Sequence, residues 1–157
     1  MKDKDKTIEI HSDGSCFKNP GTGAFCTVMI YKDKRKEITE KFKLTTNNRM
    51  ELMSVVVALE SLKVSDWNVN IYSDSKYVVD SIDKGWVFNW NKKSNFDNKK
   101  NRDLWERFLQ CYPQNKVKMI WVKGHDSNEM NNYCDMMAVQ KNKDNTPYQI
   151  DYGYTDN

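Results

Sequence analysis

Four acidic residues stand where carboxylate chemistry could be assembled. Asp13 in "EIHSDGSC" and Asp74 in "IYSDSKYV" each follow an extended apolar and polar alternation and precede a change of pattern. In sheets with helical crossovers, ligand sites gather at the carboxyl ends of strands, where loops and helix starts converge. The spacing places both aspartates at such ends. If the two strands are parallel neighbours, their backbones lie ~4.8 Å apart, and carboxylates at their tips could bracket two divalent ions held ~3.5–4 Å apart. Each residue also has a structural reading. Asp74 precedes a helix and could serve as its N-cap, and "DGS" at Asp13 could be an ordinary turn.

Glu51 and Asp135 extend the set. In "NNRMELMSVVVALESLK", Asn47, Glu51, Val55, Ala58 and Leu62 share one helical stripe, and every side chain after the glutamate is apolar. Glu51 is therefore expected at the inward edge of its helix, where a bare carboxylate is costly. A partner such as Arg49 or Lys123, or exposure in the first turn near the helix dipole, would be the structural alternative. Asp135 in "NNYCDMMAV" repeats the arrangement with Ala138 and Val139, although a single acid of this kind is commonly solvated. Four acids suit Mg²⁺ or Mn²⁺, whereas imidazole and thiolate would suit zinc. His11 lies inside a strand; His125, in the loop "KGHDSN", could be a mobile proton carrier or a solvated loop residue.

The elements that must position these acids follow from periodicity. "TIEIHS", "FCTVMIY" and "EITEKFKLT" read as strands joined by the turn chemistry of "NPGTG" and by "KDKRK", a short-looped antiparallel meander. Helical spacing begins at Asn47, with Asn residues suited to capping. It is followed by a strand "VNIYS", a helix "SKYVVDSIDK", an aromatic and basic stretch, a helix "RDLWERFLQCY", a strand "VKMIWV" and a helix over about 129–141. The expected fold is α/β, a five-stranded mixed sheet of three antiparallel strands and then two parallel crossovers, with helices on both faces. Residues 1–6 read as a charged lead, 7–141 as one domain, and 142–157 as a polar tail without an assigned element.

With 157 residues the chain can bury roughly two thirds of its surface in one domain. No apolar run approaches the ~20 residues of a membrane span and no secretion signal is visible, so a cytoplasmic protein without a membrane partner is expected. Cys16, Cys26, Cys111 and Cys134 lack paired spacing and read as reduced thiols. The formal charge of +3 says little about partners, but its distribution says more. Lys92, Lys93, Lys99, Lys100 and Arg102 oppose only Asp97, among Trp86, Phe88, Trp90, Phe96 and Trp105. This stretch is either a nucleic-acid contact or a solvated loop whose aromatics belong to the core.

Taken together, "SDGSC…NPG…G", "TTNNRMELM…ALE", "IYSDSKYV", "W…NW…NRDLW" and "WVKGHDSNEMNNYCDMMA" resemble the type 1 ribonuclease H family, from Thr7 to about Gln140. The resemblance implies a Mg²⁺-dependent monomeric endonuclease, with Mn²⁺ as substitute, cutting the RNA strand of RNA–DNA hybrids to 5′-phosphate and 3′-hydroxyl ends. Asp13, Glu51, Asp74 and Asp135 match the metal-binding carboxylates, and His125 the histidine of the catalytic loop. Implied with them is a two-ion mechanism: one ion acidifies the attacking water and the other neutralises charge on the leaving 3′-oxygen.

By the same resemblance, Cys16, Asn19, Asn47, Asn48 and Lys76 match positions lining the hybrid groove, where amides can meet 2′-hydroxyls. Thr46, Arg49 and Asn101 match backbone contacts. The segment carrying Trp86, Asn89, Lys92, Lys93, Lys99 and Lys100 matches a basic protrusion that holds DNA phosphates. It is shorter than in well-known bacterial members and interrupted by Asn91, Asn95, Asp97 and Asn98, which implies weaker, more salt-sensitive binding. "NNYCD" stands where many relatives carry an acid and an arginine. A catalytically silent hybrid-binding module and a junction resolvase or integrase-like nuclease are the rival readings.

Overall fold

The computed structural model describes residues 6–92, 100–123 and 128–154, with side chains placed in all of these except 91 and 92. Alternation in strand β1 (Thr7–Phe17) sends Ile8 and Ile10 to one face of a sheet and His11 and Asp13 to the other. Strand β2 (Gly21–Tyr31) pairs with it antiparallel, and strand β3 (Lys34–Thr45) pairs antiparallel with β2. Strand β4 (Asn68–Ser73) then lies parallel to β1, and β5 (Lys116–Trp121) parallel to β4. The order is β3-β2-β1-β4-β5, the expected meander followed by two parallel crossovers.

Helix α1 (Asn47–Glu60) leads from β3 to β4; α2 (Lys76–Asp83), α3 (Trp86–Lys92) and α4 (Arg102–Cys111) lead from β4 to β5; α5 (Glu129–Lys143) follows. On one face, Ile10, Phe25 and Met29 pack with Met50, Val55 and Leu59 of α1 and with Leu104, Trp105 and Phe108 of α4 in the main core. On the other, α5 places Cys134 and Ala138 against Cys26 and Val28 of β2. Burying apolar area on both faces is what holds the acid-bearing helices against the sheet.

Two local expectations are corrected and one structural alternative is excluded. The antiparallel ladder runs through Asp13↔Cys26 and Gly14↔Phe25 to Phe17↔Thr22, so "DGS" is strand and Asp13 is not at the carboxyl end of β1. It lies two residues beyond His11↔Tyr72, where the parallel pairing to β4 stops; β2 still supplies hydrogen-bond partners there. The N-cap of α1 is Thr46, not an asparagine: its hydroxyl accepts the Arg49 N–H at 3.2 Å. The cap of α2 is Ser75, whose hydroxyl accepts the Val78 N–H at 3.2 Å, so Asp74 is released from capping.

The aromatic stretch divides between the two readings. Val87 is fully buried, Phe88 packs on Phe108 and Tyr112, and Trp90 meets the buried Trp105 edge-on at 6.2 Å. Trp86 and Asn89 face outward. The C-terminal residues, to which periodicity assigns no element, run beside β3. The Lys43 N–H donates to the Gln149 carbonyl and the Gln149 N–H to the Lys41 carbonyl, both at 2.9 Å.

Candidate active site

Asp13, Glu51 and Asp74 reach one point from three elements. Asp13 projects from β1 just past the last rung shared with β4, and Asp74 follows the last residue of β4. Glu51 comes from the first turns of α1, which lies on the opposite face of the sheet from the Asp13 side chain. It can reach because the strand residue beneath the helix is Gly14. A Cβ there would stand 2.4 Å from the backbone nitrogen of Glu51 and 2.4 Å from the Met50 carbonyl carbon, so only glycine lets the helix seat this low. One carboxylate oxygen from each of the three acids lies within 4.8 Å of the others.

Burial makes the cluster unusual. Asp13 is 2% and Glu51 5% exposed. The Asp13 carboxyl is pushed far above the ordinary range, chiefly by desolvation, then by the charges of Glu51, Asp74 and Asp135. Burial also raises Glu51, against the lowering effect of hydrogen bonds from Asp13 and from the Gly14 N–H. In the metal-free state the Asp13–Glu51 pair therefore holds a proton well above the ordinary carboxylate range, in the hydrogen bond between the two side chains. Glu51 Oε2 is buried without a hydrogen-bond partner. A buried acceptor on a member of this carboxylate cluster, with no donor to meet it, fits a cation.

Arg49, the structural partner considered for Glu51, turns elsewhere. Its guanidinium donates to Asp103 at 2.9 and 2.7 Å, to Asp151 at 2.7 and 2.9 Å, and to Asn101 at 3.2 Å. All five N–H groups are used and the side chain is 2% exposed, so the expected contact of Arg49 with a nucleic-acid backbone does not hold. Asn101 is likewise occupied, accepting from Arg49 and donating to the Tyr77 hydroxyl at 2.9 Å. Lys123, the other partner considered, is exposed.

Asp135 lies outside the tight group but close enough for its charge to raise both Asp13 and Glu51. An open cleft of about 310 Å³ beside the cluster is lined by Asn47, Asn48, Glu51, Asp74, Ser75, Lys76 and Tyr77. Asn19 is exposed and its side-chain carbonyl accepts the Asn47 N–H at 3.0 Å, tying the β1–β2 turn to the helix start. The Cys16 thiol donates to the Lys18 and Thr45 carbonyls at the same edge. Trp86, Asn89 and Lys100 are exposed; His125, Lys93 and Lys99, and the side chain of Lys92, lie outside the described residues.

Trp121 is a neighbour that sequence reasoning missed. Its indole N–H donates to the Asp74 carbonyl at 3.3 Å, and the Lys76 ammonium sits 4.1 Å over its ring. The pairing of Ser73 with Trp121 at the ends of β4 and β5 brings the indole to Asp74, a register set only once the two strands lie side by side.

Known proteins share both this sequence and this fold. The RNase H family model matches residues 5–143. Curated relatives named Ribonuclease H include one from Rippkaea orientalis, 46% identical over 144 residues and covering 89% of this chain and 88% of its own. Another, from Desulforamulus reducens, is 46% identical over 150 residues, covering 92% and 94%. Among solved structures, LC9-RNase H1, a type 1 RNase H with the type 2 active-site motif, matches with a TM-score of 0.79 at 26% identity, over 88% of this chain and 72% of that one. LC11-RNase H1, solved in complex with an RNA/DNA hybrid, shares the fold with a TM-score of 0.59 at 19% identity, over 87% and 96%.

Proposed function

Because this chain belongs to the ribonuclease H family, we propose that it is a metal-dependent endonuclease hydrolysing the RNA strand of RNA–DNA hybrids. The observation that carries the reading is the convergence of Asp13, Glu51 and Asp74 within 4.8 Å, with a buried Glu51 oxygen left without a donor. A purely structural trio of acids would cost stability with nothing in return.

Asp13, Glu51 and Asp74 would hold Mg²⁺ or Mn²⁺, with Asp135 completing the site on the side from which the nucleophile arrives. Two such ions supply an acidified water for in-line attack and neutralisation of the leaving 3′-oxygen, which leaves 5′-phosphate and 3′-hydroxyl ends. The chain's own residues do the remainder. Gly14 holds α1 low enough for Glu51 to face Asp13, and Ser75 caps α2 so that the Asp74 carboxylate stays unspent. His125 moves a proton or assists product release. Asn47, Asn48 and Lys76 in the cleft, with Asn19 and Cys16 at its edge, offer contacts to 2′-hydroxyls and sugar edges without base preference. The exposed Trp86 and Asn89, with Lys92, Lys93, Lys99 and Lys100, take the DNA phosphates. The reading includes a monomeric, cytoplasmic enzyme; among the described residues no helix is long and apolar enough to cross a membrane.

Purified protein is expected to degrade the RNA of an end-labelled hybrid with Mg²⁺ or Mn²⁺, to stop when the metal is chelated, and to spare duplex DNA. Intact RNA after long incubation at low salt would overturn the enzyme reading in favour of a silent binding module. Cleavage of four-way junctions with hybrids untouched would favour a resolvase.

A further inference from the structure

Two cations are buried at the edge of the molecule that carries β3, and both take counter-charge from residues beyond α5. Lys41, 1% exposed, donates to the Asp144 carboxylate at 2.9 Å and to its carbonyl at 2.8 Å, and its ammonium lies 4.3 Å over the Tyr148 ring. Arg49 makes the two bonds to Asp151 already described, and the Thr45 hydroxyl donates to the same carboxylate at 2.7 Å. Between these anchors Gln149 bonds the β3 backbone on both sides. The chain also passes hard against the ion pair: a Cβ on Gly153 would stand 1.8 Å from Asp103 Oδ2 and 2.7 Å from Arg49 Nη2.

The course of this segment gives these bonds a meaning beyond packing. It leaves the end of α5, the helix bearing Asp135, crosses the β3 edge, and closes on the first turn of α1. Arg49 stands two positions before Glu51 and one or two after Asn48 and Asn47, and its guanidinium is shared between Asp103 on one side and Asp151 on the other. A buried Arg held by carboxylates on two sides cannot rotate without stranding charge. Its helix turn is therefore fixed in rotation about the helix axis, and that rotation decides whether Glu51 faces Asp13.

We infer that residues 144–154 act as a strap that sets the register of α1 over the sheet, with Asp151 a positioning residue for Glu51 and so for metal binding. The inference rests on the reading of the acid cluster as the metal-dependent hydrolytic centre. It reaches the metal through geometry alone, since Asp151 spends its carboxylate on Arg49 and Thr45.

The test uses the full chain, Asp151→Asn, and Lys41→Met, which loosens the other end of the strap away from α1. Mg²⁺ affinity is read without substrate, as the midpoint of a calorimetric or fluorescence titration at fixed temperature well below melting; kcat and KM are then measured on a hybrid at the same temperature. Asp151→Asn is expected to raise the Mg²⁺ midpoint and lower kcat by about tenfold, the scale seen when outer partners of metal ligands are removed. Lys41→Met should lose melting temperature while keeping both values. Should Asp151→Asn fail to fold, Thr45→Val, which removes one bond to the same carboxylate, is expected to shift the midpoint in the same direction by a smaller factor. A loss of melting temperature in Asp151→Asn or Thr45→Val with midpoint and kcat unchanged would reduce the strap to a stabilising clasp, as would an equal change in Lys41→Met. If the parent chain binds Mg²⁺ but leaves hybrids intact, the functional reading fails while the substrate-free titration still decides the strap.

Discussion

At the scale of single residues, the site is a place where folding free energy is given up. Asp13 and Glu51 are both buried, burial raises the proton affinity of each, the Glu51 charge raises Asp13 further, and the two share one hydrogen bond in the absence of metal. Asp13→Asn and Asp74→Asn are therefore expected to lower hydrolysis on the order of 10³-fold or more while leaving the metal-free melting temperature equal or higher. Severe destabilisation in both variants would return these acids to a structural role. The pH dependence follows with a definite sign. A carboxyl whose folded pKa is raised binds more protons in the native state than in the unfolded one, so metal-free stability falls as pH rises above the ordinary carboxylate range near 4. The loss is about 1.4 kcal/mol per pH unit for each such proton, until the folded pKa is passed. Melts of parent and Asp13→Asn between pH 5 and 9 should show a shallower decline in the variant, and saturating Mg²⁺ should flatten the parent. Parallel curves would mean that Asp13 carries no native-state proton.

At the scale of elements, what matters is how low α1 sits on the sheet and where β4 ends. Gly14→Ala would drive a methyl into the backbone of Met50 and Glu51, which cannot rotate away. The expected cost is about 1–3 kcal/mol in denaturant melts, as for other overpacked sites, with a higher Mg²⁺ midpoint because Glu51 is lifted from Asp13. Unchanged metal affinity would show that Glu51 adapts independently of its helix. Hydrophobic periodicity was enough to place these elements, because each buries one face and has to repeat its apolar residues at the matching period. Their ends were less legible. The extension of β1 through "DGSCF" depends on hydrogen bonds from β2, and Ser75 took the cap that Asp74 could have filled. Both are choices among chemically similar neighbours, settled by where the partner backbone lies.

For the molecule as a whole, the proposed function would have hybrid binding join the cleft at the acid cluster to the basic residues that follow Trp86 in the sequence. Replacing Lys92, Lys93, Lys99 and Lys100 with alanine is expected to weaken hybrid binding and to reduce the slope of log affinity against log salt by about one for each phosphate no longer neutralised. An unchanged slope, measured by titration between low and physiological salt, would mean that these lysines do not meet phosphate. Packing across the molecule also reassigns Arg49 and Asn101. By resemblance they match backbone contacts, yet Arg49 spends all its donors, and Asn101 part of its amide, on an internal network with Asp103, Tyr77 and Asp151.

The sequence by itself determined the mixed sheet and the family, and singled out Asp13, Glu51 and Asp74, because apolar periodicity and short motifs are local properties that survive without coordinates. Only the tertiary structure decided that Arg49 is sealed against Asp103 and Asp151, that Trp121 braces the Asp74 carbonyl, and that Glu51 crosses to the Asp13 side over Gly14. Each of these depends on groups far apart in the chain. Burial and partner geometry, which set their free energies, exist only once the elements have packed.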